Sequence, residues 1–306
     1  MKVTSKHLSL LHELTEEQFN AVEMHSFLNV ISVIRLQLET LQMLSGSANF
    51  LDHIIHITDY LTEKIQKGDH KVFFPENIRS YQQKVLKDID KFETLEKDSR
   101  LLAEIDDART ILLEIFKVMD IRSDELHRKT QNPNKWESYS IGEFKEDFNK
   151  FFHAVEKNSK GKYQIIQNIA NKGLNDYLVN FEVDTDNGNE ISMPLAFKDV
   201  IRDLIANARK YTQPGGQINI GLSQKTGILR FIVQDNGIGI PENEMDRIFE
   251  YGYRGKNVRD RPTMGGGFGL TKALYVTVQL NGDMWIDSKE DEGTTITIEL
   301  PVRDAG

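Results

Sequence analysis

The sequence predicts an α+β protein in which an all-helical N-terminal bundle precedes a C-terminal α/β domain. Over residues 15–130, apolar side chains recur at helical spacings of three and four and are interrupted by short breaks. After residue 143, helical runs alternate with runs of strand-forming residues. The chain of 306 residues is long enough for two such domains.

Composition excludes several classes of protein. The formal net charge of −9 and the pI of ≈ 5.5 argue against nucleic acid as the main partner. The chain has no cysteine, which excludes disulfides and thiolate metal sites. No apolar run reaches the roughly 20 residues that a spanning helix needs, and no signal peptide opens the chain. We therefore expect a cytoplasmic protein without direct membrane insertion.

The helical bundle is predicted to begin after an N-terminal extension, residues 1–14, that has no assigned role. Thr15, with Gln18 three residues later, forms a capping box that predicts a helix start. This helix is expected to run to about Leu44, before the break at residues 45–47. Its apolar side chains occupy more than one stripe, which is typical of a helix inside a bundle.

One polar stripe interrupts this apolar helix. His25, Asn29 and Ser32 are spaced i, i+4 and i+7, so they lie on one face. An exposed imidazole with one free nitrogen can act as a nucleophile. A single helical histidine is more often a packed or surface residue, so the stripe gains its meaning from the domain that follows.

A second helix is expected over about residues 49–67. Its polar side carries His53 and His56, two histidines between carboxylates. Because no third strong ligand is in view, we expect a solvated face here and no metal site.

The rest of the bundle, residues 76–129, is helical and charged. A heptad seam runs from Leu101 to Met119 and is out of phase with the apolar positions before it. Either a turn at residues 96–99 separates two helices, or one long helix contains a stutter. Residues 131–142, with Asn-Pro-Asn and a tryptophan, are expected to be a linker.

Three segments of the C-terminal domain carry chemistry, and the first is the amphipathic helix over residues 197–211. Asp203, Asn207 and Lys210 share one face of it. A carboxylate, an amide and an ammonium together can hold a hard cation and the phosphates that it bridges. Taken alone, such a set is more often an ordinary solvated face.

The second segment is a predicted buried strand, residues 228–234, that ends in Asp235-Asn-Gly237-Ile-Gly239. The glycines permit close backbone approach. An aspartate accepts hydrogen bonds only, which suits the exocyclic amine of adenine. Asp-Asn-Gly by itself is more often a plain turn.

The third segment, residues 265–269, holds four glycines ahead of an apolar helical run. Backbone N–H groups at such a helix start can cradle an anion, although a lone glycine run is usually a flexible loop. Residues 248–261, between the second and third segments, are basic and punctuated by glycine. That composition fits a mobile lid that carries cations over phosphates.

In this order, the segments NARKYT, DNGIGIP, IFEYGYRG, GGGFGL and EGTTITIELP resemble the nucleotide-binding boxes of the GHKL ATPases, and within them the sensor histidine kinases. The resemblance covers residues 141–302. It implies that residues 143–306 form a catalytic α/β sandwich ATP-binding domain of the GHKL type, with helices on one face of a mixed sheet.

The resemblance also implies roles for individual residues. Asn207 would ligate Mg²⁺, Lys210 and Arg254 would contact the ATP phosphates, Tyr211 would pack on adenine, and Asp235 would bind the adenine amine. The pocket and lid would be shaped by Gly237, Gly239, Gly265, Gly266, Gly267, Gly269 and Leu270. Histidine kinases often have asparagine where this chain has Asp203. An acid there is similar to the ATP-hydrolysing and serine-phosphorylating relatives, in which it acts as a base.

In the helical region, Met-His-Ser-Phe-Leu-Asn resembles a histidine-kinase phosphoacceptor segment of the His-x-x-x-Asn type. His25 would then be phosphorylated, and Asn29 would orient a water for dephosphorylating a partner. The family usually has an acid directly after the histidine, whereas this chain has Ser26, so the base comes from elsewhere or autophosphorylation does not occur. Residues 104–126 resemble the second helix of a dimerisation hairpin, which makes residues 46–98 an insertion that extends two helices to four.

The resulting hypothesis is an ATP- and Mg²⁺-dependent histidine kinase of a two-component system. It would autophosphorylate His25 and pass the phosphoryl group to a response-regulator aspartate, as a homodimer that a separate sensor or input protein controls. Two alternatives stay open. Asp203, Ser26 and the extended bundle favour a serine/threonine protein kinase resembling the pyruvate dehydrogenase kinases. The other alternative is a kinase-inactive, ATP-binding phosphatase or scaffold.

Overall fold

The computed structural model describes residues 2, 14–45, 51–131, 135–158, 161–258 and 267–302. The chain divides into two units, one of residues 14–132 and one of residues 133–306 together with residues 1–13. The first unit is helical and the second contains the β-sheets, so the predicted α+β class is confirmed. Of the N-terminal extension only Lys2 is described before residue 14; it pairs with Trp285 at the edge of the large sheet.

The first unit contains five described α-helices. They are α1 (Glu16–Glu23), α2 (His25–Ser45), α3 (Asp52–Gln66), α4 (Pro75–Leu95) and α5 (Ser99–Gln131). The capping box at the start of α1 is present, because the Thr15 hydroxyl accepts from the Gln18 N–H and the Gln18 side chain accepts from the Thr15 N–H.

The expectation of one continuous helix up to about Leu44 is wrong. At Met24, with φ −97° and ψ 15°, the chain turns between α1 and α2. The turn allows α1 to pack on α3, where the Asn20 side-chain amide donates to the Gln66 carbonyl at 3.2 Å. The local sequence favours a straight helix here. The packing of α1 on α3, two segments that are distant in the chain, favours the turn instead.

Between the two alternatives for the second half of the bundle, the turn is confirmed. Residues 96–98 separate α4 from α5. The Glu96 carboxylate accepts from the N–H groups of Lys97 and Asp98, and the Asp98 carboxylate accepts from the Arg100 N–H at 2.8 Å. These bonds satisfy backbone donors at the start of α5 that have no intrahelical partner.

One apolar core holds this unit together. Helix α2 packs against α3 and α5, and α4 packs against α5. The heptad seam of α5 is buried, with Ile105, Leu112 and Met119 fully inaccessible to solvent. The buried Ser123 hydroxyl donates to the Phe73 carbonyl at 2.5 Å, which ties α5 to the 3₁₀ turn His70–Phe73.

The second unit is built on a six-stranded mixed sheet in the order β2-β3-β5-β6-β8-β7. Its strands are β2 (Ile165–Ile166), β3 (Tyr177–Thr185), β5 (Gln217–Lys225), β6 (Ile228–Asp235), β7 (Asp283–Lys289) and β8 (Gly293–Pro301). The pairs β2–β3 and β3–β5 are parallel, and the other pairs are antiparallel.

A separate antiparallel pair joins β1 (Trp136–Ser140) to β4 (Glu190–Pro194). Strand β1 lies inside the linker expected over residues 131–142, so that expectation is corrected. Trp136 is buried in the core of the second unit. The strand forms because it pairs with β4, a distant segment in which Pro194 lies opposite Trp136. The local sequence around Asn-Pro-Asn does not indicate this pairing.

Three helices cover one face of the large sheet: α6 (Ile141–Asn158), α7 (Leu195–Tyr211) and α8 (Gly269–Gln279). Alternate residues of β5, β6 and β8 are buried with these helices in one core, while the residues between them are more exposed. The expected arrangement of helices on one face of a mixed sheet is therefore confirmed. Among the helices that the structure describes, none combines the length and apolarity needed to cross a bilayer.

Candidate functional site

A pocket opens where α7, the end of β6 and the start of α8 meet. Its empty volume, including the open mouth, is ≈ 740 Å³. The pocket is lined by Leu204, Asn207, Ala208, Tyr211, Val233, Asp235, Ile238, Gly239, Ile240, Ile248, Tyr253, Arg254, Gly255, Asn257, Val258, Leu270, Thr294 and Ile296. Most of these side chains are apolar, which suits a flat aromatic ligand.

Asp235 places a carboxylate in this apolar surrounding. It is the last residue of β6, and its Oδ1 accepts a hydrogen bond from the Gly237 N–H at 2.9 Å. Burial raises the pKa of Asp235 to about 6, while hydrogen bonds from the backbone at Gly237 and Thr294 act in the opposite direction. A half-desolvated carboxylate of this kind can accept a hydrogen bond from a ligand amine, and such a bond favours its ionised form.

The two glycines after Asp235 allow the backbone to pass close to neighbouring chain. A Cβ on Gly237 would lie 2.5 Å from the Tyr211 carbonyl oxygen. Gly239 has φ +61°, and a Cβ there would lie 1.9 Å from the Lys289 carbonyl oxygen. The Ile238 N–H donates to the Tyr211 carbonyl at 3.2 Å. A side chain at either glycine would therefore displace the pocket floor from the end of α7 or from the β7–β8 turn.

Basic side chains gather at the end of α7. Lys210 Nζ lies 5.2 Å from the centre of the Tyr211 ring. Burial, together with the positive charges of Arg254 and Arg209, lowers the pKa of Lys210 to about 8. Burial also raises the pKa of Tyr211, with Arg254 opposing the shift. A bound anion would relieve the repulsion between these cations, so this end of the pocket suits phosphate.

Two contacts link α7 to the first turn of α8. A Cβ on Gly269 would lie 2.8 Å from Asn207 Nδ2, so the amide of Asn207 sits directly against the start of α8. One turn away, Lys272 Nζ donates to Asp203 Oδ2 at 2.8 Å. The Lys272 side chain is only 5% exposed. Asp203 is therefore ion-paired, and it is not among the residues that line the pocket.

Part of the chain between β6 and α8, up to Val258, lines the pocket. The buried Glu244 carboxylate accepts from the Lys256 N–H at 3.1 and 3.2 Å. The Asn257 amide donates to the Gly239 carbonyl at 3.1 Å, and Arg254 donates to the Val258 carbonyl at 3.0 Å. These bonds hold Arg254 in the pocket wall.

The far end of the predicted lid is partly described. Gly267 has φ +76°, and a Cβ there would lie 2.6 Å from the Tyr253 carbonyl oxygen. Gly265 and Gly266 lie outside the described residues.

The pocket wall contains six of the residues singled out from the sequence: Asn207, Tyr211, Asp235, Gly239, Arg254 and Leu270. Lys210, Gly237, Gly267 and Gly269 lie next to that wall, as the contacts above show. Sequence reasoning missed Thr294, Asn257 and Tyr253 as individual lining residues. Thr294 stands opposite Asp235 in the β6–β8 register, so its place in the EGTT segment was the available signal.

His25 and Asn29 belong to the helical unit. Their backbone is part of α2, while their side chains lie outside the described residues. His53 and His56 of α3 are exposed, with 75% and 78% of their side chains accessible.

Comparison with known proteins agrees with this geometry. Residues 193–304 match the family model of histidine kinase-, DNA gyrase B-, and HSP90-like ATPases. The chain is 37% identical over 107 residues to the sensor histidine kinase WalK of Bacillus subtilis, covering 34% of this chain and 18% of that protein. It is 29% identical over 210 residues to the sensor protein kinase WalK of Staphylococcus aureus, covering 68% of this chain and 43% of that protein.

Among solved structures, the nucleotide-free catalytic domain of the histidine kinase ThkA covers 55% of this chain and 95% of its own length, with 20% identity and a TM-score of 0.40. Within the C-terminal unit, the matched segment is therefore similar to the ATP-binding domains of histidine kinases. The predicted resemblance of the chain to sensor histidine kinases is confirmed. The matched segments span less than half the length of these curated relatives.

Proposed function

We propose that this chain is an ATP-dependent protein histidine kinase of a two-component system. The observation that carries the proposal is the pocket itself, because its wall holds a partly desolvated carboxylate at Asp235 and a cation at Arg254, and Lys210 lies next to that wall. The carboxylate suits the amine of adenine, and the cations suit phosphates. The names of the relatives, sensor histidine kinases, support the kinase class.

Asn207 is the proposed metal ligand, and its surroundings fit Mg²⁺. Its amide lies in the pocket wall between the basic end of α7 and the start of α8. Mg²⁺ prefers oxygen ligands and is usually held by one or two protein groups together with substrate phosphates and waters. When bound, Mg²⁺ would neutralise phosphate charge, and Asn207 would help to hold it.

Phosphoryl transfer depends more on positioning and charge neutralisation than on covalent help from the protein. Tyr211 and the apolar wall would hold the adenine, while Asp235 accepts from its amine. Lys210 and Arg254 would hold the phosphates and stabilise the charge that develops on the leaving ADP. These side chains orient ATP and exclude water from the adenine end of the pocket.

The proposed acceptor is His25. One imidazole nitrogen would attack the γ-phosphorus, the bond from that phosphorus to the ADP oxygen would break, and ADP would leave. A receiver-domain aspartate of a response regulator would then take the phosphoryl group. Asn29, one turn along α2, is proposed to orient a water when a phosphorylated partner is hydrolysed.

The helical unit is proposed as the dimerisation element. Apolar side chains remain exposed on α2 and α5 within the chain, with Met43 at 83%, Ile121 at 56% and Leu36 at 51%. Covering them with a second copy would remove apolar surface from water. A cytoplasmic location and a separate input protein complete the proposal.

The test is incubation of the purified chain with γ-labelled ATP and Mg²⁺, beside His25→Ala and the matched control His53→Ala, which changes an exposed histidine of a neighbouring helix. We expect label that is stable to base and labile to acid in the wild type and the control, and none in His25→Ala. Acid-stable label, or label that persists in His25→Ala, would contradict the proposal.

A further inference from the structure

We infer that Lys272 is a positioning residue of the nucleotide site. Because Lys272 donates a hydrogen bond to the Asp203 carboxylate, Asp203 does not act as a catalytic base and instead holds α7 against α8. The inference rests on the proposed function, since it concerns the same ATP site. It also specifies the class of phosphoryl acceptor that the site serves, a neutral nitrogen nucleophile.

The geometry begins with two parallel contacts. On α7, Asp203 and Asn207 are one turn apart; on α8, Gly269 and Lys272 are three residues apart and lie on the same side. Asn207 faces Gly269, and Asp203 receives the hydrogen bond from Lys272 at 2.8 Å. Two contacts one turn apart fix both the distance and the register of the helices. The proposed Mg²⁺ ligand is thereby held against the helix start that follows the glycine-rich segment.

A third bond extends this arrangement toward the lid. The hydroxyl of Thr271, which is fully buried, donates to the Phe249 carbonyl at 3.1 Å. The first turn of α8 is therefore attached on one side to α7 and on the other to the chain that carries Arg254. Displacing Lys272 would loosen both the metal ligand and the phosphate-binding side chains.

The two single substitutions are expected to differ in effect, because asparagine can still accept a hydrogen bond whereas methionine cannot donate one. Lys272 is 5% exposed and Asp203 is 20% exposed, so each charge depends on the other in place of water. Breaking such a pair from one side leaves an uncompensated buried charge, whereas removing both charges is often tolerated. Asparagine at 203 would keep an oxygen that can still accept from the ammonium. Methionine at 272 would leave the carboxylate without its partner.

The pairing also bears on the acceptor. A hydroxyl nucleophile needs a base to remove its proton, whereas neutral imidazole already presents a lone pair. The Asp203 carboxylate accepts from a buried ammonium and does not line the pocket, so it is poorly placed to take a proton from a hydroxyl. The site accordingly favours histidine over serine or threonine as the acceptor.

The experiment compares the full chain with Asp203→Asn, Lys272→Met, the double variant and Lys272→Arg. ADP affinity is measured by calorimetry with and without Mg²⁺, and kcat and KM for ATP are measured by phosphorylation of the chain. We expect Asp203→Asn to keep kcat within about tenfold of wild type. We expect Lys272→Met to weaken Mg-ADP binding by about tenfold or more, and the double variant to regain most of that loss. Lys272→Arg should rescue binding because it keeps the charge.

Three results would overturn the inference. One is a kcat loss of about 1,000-fold in Asp203→Asn at unchanged ADP affinity, which is the behaviour of a base. Another is a double variant that binds Mg-ADP no better than Lys272→Met. The third applies if Lys272→Met does not fold. It is a Lys272→Arg variant that binds Mg-ADP normally together with an Asp203→Asn variant that is not phosphorylated. ADP binding that follows the expected order without any phosphorylation of His25 would support the positioning role of Lys272 while contradicting the proposed function.

Discussion

Replacing Asp235 by asparagine should stabilise the folded protein and weaken nucleotide binding. The pKa of Asp235 is raised to about 6, compared with 3.8 for the model carboxyl. Each unit of difference corresponds to about 1.4 kcal/mol, so keeping this carboxylate ionised costs the folded state up to about 3 kcal/mol at neutral pH. An amide carries no charge and avoids most of that cost. We expect the free energy of unfolding at pH 7.5 to rise by about 1–3 kcal/mol.

The pH dependence has a defined sign. Because the folded state binds the Asp235 proton more tightly than the unfolded state, the wild type is stabilised as the pH falls from about 6 to 3.8. Asparagine cannot take up that proton. The difference in stability between the variant and the wild type should therefore shrink as the pH falls through this window, and it should be largest above pH 6.

The same substitution would remove the proposed charge-assisted hydrogen bond from adenine to Asp235. A hydrogen bond to a charged group contributes about 1.5–3 kcal/mol, so ADP affinity should fall about 10- to 100-fold. The variant would thus be more stable and bind nucleotide less tightly, as expected when a desolvated charge is kept for binding.

Tryptophan fluorescence in urea provides the assay, because both tryptophans, Trp136 and Trp285, belong to the C-terminal unit. The control is Asp287→Asn, which changes an exposed carboxylate on β7. Calorimetry at pH 7.5 gives the ADP affinity. An Asp235→Asn protein that is less stable than the wild type at pH 7.5, or that binds ADP normally, would refute the reasoning.

Three further outcomes follow from the site and the bundle. ADP affinity should decline above about pH 8, because Lys210 then loses the positive charge that would face phosphate. Calorimetry across pH 6–9 measures this affinity, and a flat profile would count against a role of Lys210 in phosphate binding. Gly239→Ala should abolish ADP binding, because the added Cβ would lie 1.9 Å from the Lys289 carbonyl oxygen. The control Gly221→Ala adds a Cβ in open space and should bind ADP normally in the same assay. Ser123→Ala should lower the free energy of unfolding of the helical unit by about 1–3 kcal/mol, because the buried Phe73 carbonyl loses its donor. Unfolding is followed by circular dichroism, and an unchanged free energy would contradict that hydrogen bond.

Several parts of this structure could be read from the sequence because they depend on local chemistry. The capping box at Thr15 follows from nearby polar side chains, and so does the turn at residues 96–98, which the sequence predicts as one of two alternatives. Asp235 and Gly239 are identified because their segment stands in order with the other nucleotide-binding segments, whereas Asp-Asn-Gly by itself is more often a plain turn. The α+β class followed from the change in apolar periodicity near residue 140.

The features that the sequence did not reveal depend on contacts between distant segments. The turn at Met24 has no glycine or proline, and it arises where α1 packs on the end of α3. Strand β1 exists because it pairs with β4. The partner of Asp203 is Lys272, which is 69 residues further along the chain. The hypothesis that Asp203 acts as a base comes from the resemblance to the ATP-hydrolysing and serine-phosphorylating relatives, which does not reveal its partner on α8.

The central claim, transfer from ATP to His25, is tested most directly by locating the phosphate. The chain is incubated with Mg-ATP, digested at alkaline pH so that a phosphoramidate survives, and mapped by mass spectrometry. We expect one phosphate on the peptide that contains His25, assigned to the imidazole and lost after brief acid treatment. Phosphate on a serine or threonine, or on another histidine, would contradict it.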